Sequence, residues 1–178
     1  MEPTEPSNRK LGGTVGHELT HGFDDQGRKF DAQGNLRDWW TAADAAAYEK
    51  RAACVVDQAG KYEVVDGLKI NGKLTEGENI ADLSGLSLAY SAWKAAEAGK
   101  VLEAIDGFTP DQRFFLGYAQ GWCANQRPES LRTATLSDPH SPTRFRVNGV
   151  VANFREFQQA FGCAADSPMV NPNPCRVW

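Results

Sequence analysis

His17, Glu18 and His21 stand together as His17-Glu18-Leu19-Thr20-His21. On a helix, residues four apart project from one face, one turn above each other. Two imidazoles so spaced can each aim one ring nitrogen at a single zinc ion. Glu18 falls beside them, where a carboxylate can take a proton from a metal-bound water. The same five residues also fit a solvated polar helix face, so the third ligand matters. A hydrolytic zinc site takes three protein ligands and leaves one position for water. The longer pattern H-E-x-x-H-x-x-G-x-x-H does not supply it, because Asp24 and Gly27 occupy its last two positions. The other common solution is a glutamate on a second helix. Gly77-Glu78-Asn79-Ile80-Ala81-Asp82 offers Glu78, with Asp82 four residues on and on the same face. Asp82 could accept a hydrogen bond from the back nitrogen of a ligand histidine. Glu76 is a rival ligand, and a solvated acidic turn favoured by the helix dipole is an equal reading.

The chain has three histidines, and the third is His140, in Asp138-Pro139-His140-Ser141-Pro142. A histidine in a Pro-bounded loop can be plain surface. It can also be held rigidly to donate a hydrogen bond to a developing oxyanion. Arg146, in Arg144-Phe145-Arg146, carries a planar fork suited to a carbonyl or carboxylate.

These residues need helices to position them. The first is expected over Leu11–His21, with Val15 and Leu19 as its apolar positions and Gly22 as its C-cap. Residues 1–10 read as a disordered lead-in, leaving 11–178 as one domain. Asp24 to Leu36 has loop composition, with a short hairpin expected around Gln33-Gly34-Asn35. Thr41 is the N-cap of an Ala-rich helix to about Ala59. Short strands are expected at Tyr62–Val65 and Leu68–Ile70. The second site helix spans about Thr75–Ala98 and stops at Gly99, its apolar positions being Ile80, Leu83, Leu86 and Leu88. Thr109, Pro110 and Gln112 mark the start of a third, through a capping box, carrying Phe114, Phe115, Tyr118 and Trp122. A helical turn follows at Pro128–Leu136, then a loop over Ser137–Pro142. Asn153 is expected to cap a last helix ending at Gly162. Three prolines keep the C-terminal tail irregular. The sum is a mainly α single domain.

A chain of 178 residues, 41% hydrophobic and 24% charged, suits one soluble globular domain. Its net charge of −4 comes without a basic block, so nucleic acid is not an expected partner. No apolar run approaches a membrane span. The first residues lack the apolar core of a signal peptide; either export is not encoded here or the real start lies upstream. The four cysteines are spread out, with no C-x-x-C pair, and fit either disulfides or buried thiols.

Taken together the motifs resemble the C-terminal part of the neprilysin / endothelin-converting-enzyme family of zinc metallopeptidases. The matching segments are Gly16-His17-Glu18-Leu19-Thr20-His21-Gly22-Phe23-Asp24-Asp25, Asp38-Trp39-Trp40, Gly77 to Asp82, Trp122-Cys123, His140-Ser141-Pro142 through Arg146, and Cys175-Arg176-Val177-Trp178. The resemblance implies a thermolysin-like zincin fold without the family's N-terminal lobe, and one Zn2+ per chain held by His17, His21 and Glu78. Glu18 would polarise water, His140 would stabilise the oxyanion, and Asp82 would orient His17, with Asp24 a second residue of that supporting kind. Arg146 would bind substrate backbone on the primed side, and Trp122 would line the S1′ pocket. The implied activity is endopeptidase cleavage of oligopeptides before bulky hydrophobic residues. The other reading is a truncated, non-cleaving zinc-binding remnant or binding module that needs the missing lobe. The family's upstream Asn-Ala-x-Tyr strand is not in this sequence. The resemblance further implies a Cys54–Cys175 disulfide, with Cys123 and Cys163 lacking their usual partners, and an extracytoplasmic location.

Overall fold

The computed structural model describes residues 5–178, with side chains from residue 11. Among them seven α-helices and one two-stranded hairpin are formed. Helix α1 spans Glu5–Thr20 and runs straight into a 3-10 turn, His21–Phe23. It starts six residues before the expected boundary. Residues 5–10 are therefore helical, and the rest of the expected lead-in, 1–4, lies outside the described residues. Gly22 is not a C-cap; it sits inside the 3-10 turn, whose cap is Asp24.

Helix α2 (Ala42–Ala59) starts where Thr41 accepts a hydrogen bond from the Asp44 backbone N–H. The hairpin pairs β1 (Glu63–Val65) with antiparallel β2 (Leu68–Lys69). A bridge between Phe30 and Leu36, with Gly34 at φ 77°, forms the turn expected near Gly34. Helix α3 spans Glu76–Ala96, and Gly99 follows at φ 79°. Helix α4 (Pro110–Gln120) has the Thr109–Gln112 capping box in place. Helix α5 covers Pro128–Ser137.

Helix α6 (Thr143–Val151) was not expected. Its sequence TRFRVNGVV has β-branched residues and a glycine, which give little helical signal. Helix α7 (Arg155–Phe161) is capped by Phe154, not Asn153. The Asn153 side chain instead donates to the Gly149 carbonyl and to Gln58 Oε1, and accepts from the Cys175 N–H. Gly162 ends α7 in the left-handed region. Cys54 and Cys175 are bonded; Cys123 and Cys163 are free.

The core is built around α3. Ile80, Leu83, Leu86 and Ala89 pack against Phe114, Phe115 and Tyr118 of α4, Tyr48, Ala52 and Val55 of α2, and Val150, Val151 and Phe154. Leu88 departs from the expected stripe and is exposed. Helix α1 lies across α3 with its backbone almost touching. A Cβ on Gly16 would stand 2.8 Å from Gly85 Cα, and one on Gly85 would stand 2.5 Å from the His17 nitrogen. Only glycine at both positions permits that approach. The small residues therefore face inward, and Val15 and Leu19 are turned outward, 52% and 66% exposed.

Candidate metal centre

The Gly16–Gly85 crossing sets His17 and His21, at the C-terminal end of α1, against the first turns of α3. His17 Nε2 lies 3.0 Å from His21 Nε2 and 3.2 Å from Glu78 Oε2, and His21 Nε2 lies 3.6 Å from Glu78 Oε1. Donors about 2.0–2.2 Å from a tetrahedral zinc stand about 3.3–3.6 Å apart. The three side chains thus form one face of such a tetrahedron, and their donor atoms all lie within 4.8 Å of one another. Two imidazoles and a carboxylate suit zinc chemically. Glu76, the rival ligand, is buried and paired with Lys73 instead.

Both candidate ligand histidines are held from behind. Asp82 Oδ1 lies 2.8 Å from His17 Nδ1, and Asp24 Oδ2 lies 2.7 Å from His21 Nδ1. Each contact leaves Nε2 as the metal-facing nitrogen. Asp24 is fixed in turn: its Oδ1 accepts from the backbone N–H groups of Gln26 and Gly27. That turn folds so closely that a Cβ on Gly27 would land 1.7 Å from the His21 carbonyl oxygen. Gly27 thus has a steric reason in the loop that holds Asp24.

Arg146 comes from α6. Its Nε donates to Asp82 Oδ2 at 2.6 Å and its Nη2 to Asp82 Oδ1 at 2.7 Å, a bidentate pair. The guanidinium also lies over the Trp122 ring at 4.1 Å and reaches Glu78 Oε2 at 3.5 Å. Two of its donor atoms therefore serve the residue that orients His17. Trp122 lies in a turn just beyond α4 rather than within it.

His140 sits in the loop between α5 and α6. Its Nε2 is 3.2 Å from Glu78 Oε2, and its Nδ1 is 2.7 Å from Asp138 Oδ1. Asp138 also accepts the His140 backbone N–H at 2.9 Å. The role of Asp138 was not read from the sequence, where it looked like loop composition before a proline.

Electrostatics follow the geometry. Burial, the largest influence on His17, lowers its pKa, but hydrogen bonds to Asp82 and Glu78 outweigh it and bring it up to about 9. Burial pushes the Glu78 carboxyl upward, yet His17, His140 and Arg146 together hold it below the usual carboxylate range. Hydrogen bonds from the His140 backbone and ring lower Asp138. Asp82 and Glu78 in turn raise the Arg146 guanidinium above its ordinary value against the pull of its own burial, so the charges of Glu78 and Arg146 support each other beside the imidazoles.

Glu18 is exposed on the next face of α1 and borders a cleft of about 150 Å³. Gly13, Thr14, His17, Asp82, Tyr118, Trp122, His140 and Arg146 complete its walls. The expected site residues Glu18, His17, Asp82, His140, Arg146 and Trp122 meet at this one cleft, with His21, Glu78 and Asp24 immediately behind.

Comparison with known proteins gives this site a lineage. The chain matches Peptidase family M13 over residues 7–177. It is 47% identical over 172 residues to endothelin-converting enzyme 1 of Bos taurus, covering 94% of this chain and 22% of that protein. Identity to neprilysin-1 of Caenorhabditis elegans is 45%, covering 94% and 23%. Among solved structures, zinc metalloprotease Zmp1 of Mycobacterium tuberculosis in complex with inhibitor superimposes with a TM-score of 0.89. It shares 41% identity, covering 98% of this chain and 28% of that one. The chain thus spans about a quarter of the length of the relatives it matches. The family match reaches across nearly the whole sequence and includes both histidine and glutamate motifs, so the chain belongs to peptidase family M13.

Proposed function

We propose that this chain is the catalytic region of a zinc-dependent endopeptidase that hydrolyses internal peptide bonds of oligopeptides. The observation that carries the reading is the triangle of His17, His21 and Glu78, each histidine backed by its own aspartate. One zinc ion per chain fits that donor set. When bound, zinc would supply Lewis acidity and lower the pKa of a water toward about 7.

The chain's own residues do the rest. Glu18 accepts the proton of the attacking water at its carboxylate and passes it to the departing amine nitrogen. His140 donates from Nε2 to the oxyanion of the tetrahedral intermediate. Asp138, on the other ring nitrogen, holds the imidazole in orientation. Asp82 and Asp24 fix the two ligand rings. Arg146 steadies Asp82 first and offers what remains of its fork to a substrate carbonyl on the primed side. Trp122 and Tyr118 give the cleft an aromatic wall, which supports cleavage before a bulky hydrophobic residue.

Residues 11–178, together with the first turns of α1, would form one catalytic unit. The Cys54–Cys175 bridge supports an extracytoplasmic location. Among the described residues no helix is long and apolar enough to cross a membrane.

The test is incubation of the purified chain with mixed short peptides, with and without a zinc chelator, beside Glu18→Gln. The expected result is chelator-sensitive cleavage that the variant lacks while still binding one zinc. Zinc binding without cleavage by the unsubstituted chain would favour the non-cleaving module. No zinc binding would overturn both.

A further inference from the structure

His140, the proposed oxyanion donor, stands on neither α1 nor α3 and on no other helix. Residues 138–142 bridge α5 and α6, and the imidazole is half exposed. Asp138 holds the ring, but Asp138 belongs to the same loop and moves with it. A loop-borne donor needs an outside anchor to sit within a few tenths of an ångström of its working position.

The anchor is one residue away on each side of the site. Ser141 is buried, 4% exposed, and its hydroxyl donates to Asn79 Oδ1 at 2.7 Å. Asn79 follows the ligand Glu78 directly on α3. Its amide has no freedom to turn over, because Nδ2 donates to Thr75 Oγ1 at 2.9 Å. Thr75 Oγ1 in turn donates to the Asn71 carbonyl. Since Nδ2 is taken, Oδ1 is the atom presented to Ser141. The loop is thus tied to the same helix turn that bears Glu78, and His140 Nε2 arrives 3.2 Å from Glu78 Oε2.

We propose that Asn79 and Ser141 are positioning residues, a pin that sets His140 over the metal centre. The role in turnover rests on the peptidase reading above; the pin itself does not. Misplacing a catalytic group by about 1 Å can cost as much as 100-fold in rate. Neither residue contacts the metal triangle, so their loss should spare metal binding and substrate capture.

The test compares Ser141→Ala, Asn79→Ala and the double variant with the unsubstituted chain. NMR relaxation of the His140 ring is measured in the metal-free and zinc-loaded protein, beside zinc affinity, kcat and KM. The expected result is a His140 ring that becomes mobile in each single variant, with zinc affinity within about twofold. kcat should fall about 10–100-fold with KM nearly unchanged. The double variant should be no worse than Asn79→Ala alone, since that substitution already severs the Ser141–Asn79 bond. A His140 ring as ordered in both variants as before would overturn the pin. So would loss of zinc affinity in parallel with ring order, which marks a general structural role. If the unsubstituted chain cleaves nothing, the peptidase reading fails, and the ring measurement still decides the pin.

Discussion

Helix α1 has two long faces with opposite fates. Gly16, His17 and Thr20 are buried against α3 and the metal centre, while Leu11, Val15 and Leu19 stand out from the fold. Leu19 joins Phe23, Leu88 and Trp178 along an apolar groove of about 480 Å³. Apolarity normally sorts a helix the other way round. Here the close crossing at Gly16 and Gly85 takes the inward face, because only residues without bulk bring the histidines within reach of Glu78. The lesson is that site geometry, rather than burial of large side chains, decided how this helix is turned.

That contrast can be tested from its strongest point outward. Gly85→Val should do most harm. Its Cβ must displace the His17 backbone, and the cost should be about 3 kcal/mol, lowering Tm by about 6–12 °C. Thermal unfolding with parallel zinc titration would show both losses; an unchanged Tm would mean that the helices do not cross as described. Next is Asp82→Asn, which removes the carboxylate shared by His17 and Arg146. Zinc affinity should drop about 10–100-fold, measured against a competing chelator. A smaller and continuous effect comes from pH. The His17 pKa in the folded, metal-free chain is raised from 6.5 to about 9. Its charged form stabilises that state fully below pH 6.5, and the benefit is lost as pH rises through 9. Zinc needs the neutral ring, so uptake releases this proton. Apparent affinity should climb about tenfold per pH unit between pH 6.5 and 9 and then level off. On the outer face, Leu19→Ala should change stability by no more than about 0.5 kcal/mol. A large loss there would show that this side of α1 is covered in solution.

Much of the site was legible because its chemistry imposes local spacing. Two candidate ligands four apart, and a carboxylate with its partner four further on, are patterns a helix must carry. Caps at Thr41 and Thr109 were legible for the same reason: the hydrogen bonds run between near neighbours. What stayed hidden runs between distant residues. Ser141 and Asn79 are 62 positions apart, and nothing in either segment announces the other. Gly85 carries no local signal either, yet its close approach to Gly16 and His17 is the contact that makes the site. Helix α6 escaped because its buried Phe145 and Arg146 answer to Tyr62 and Asp82 rather than to a helical repeat. Asn153 looked like a cap, but its amide knits Gln58 to the tail.

The Cys54–Cys175 bridge closes a ring between residues 121 positions apart. Glu78, His140 and Arg146 lie within that ring, whereas His17 and His21 lie on the open arm before it. A metal joining His17, His21 and Glu78 would close a second ring that shares the stretch from 54 to 78 with the first. In the chain-entropy picture a ring of this size removes about 4–5 kcal/mol of unfolded-state freedom. Two rings that overlap do not restrict the unfolded chain independently, since the shared stretch is constrained by both. Redox state and metal occupancy would thereby be coupled through the unfolded chain, although neither cysteine borders the candidate cleft. Metal loss in a reduced chain frees the arm and the ring together, so tolerance of metal depletion is partly a property of the far end of the sequence.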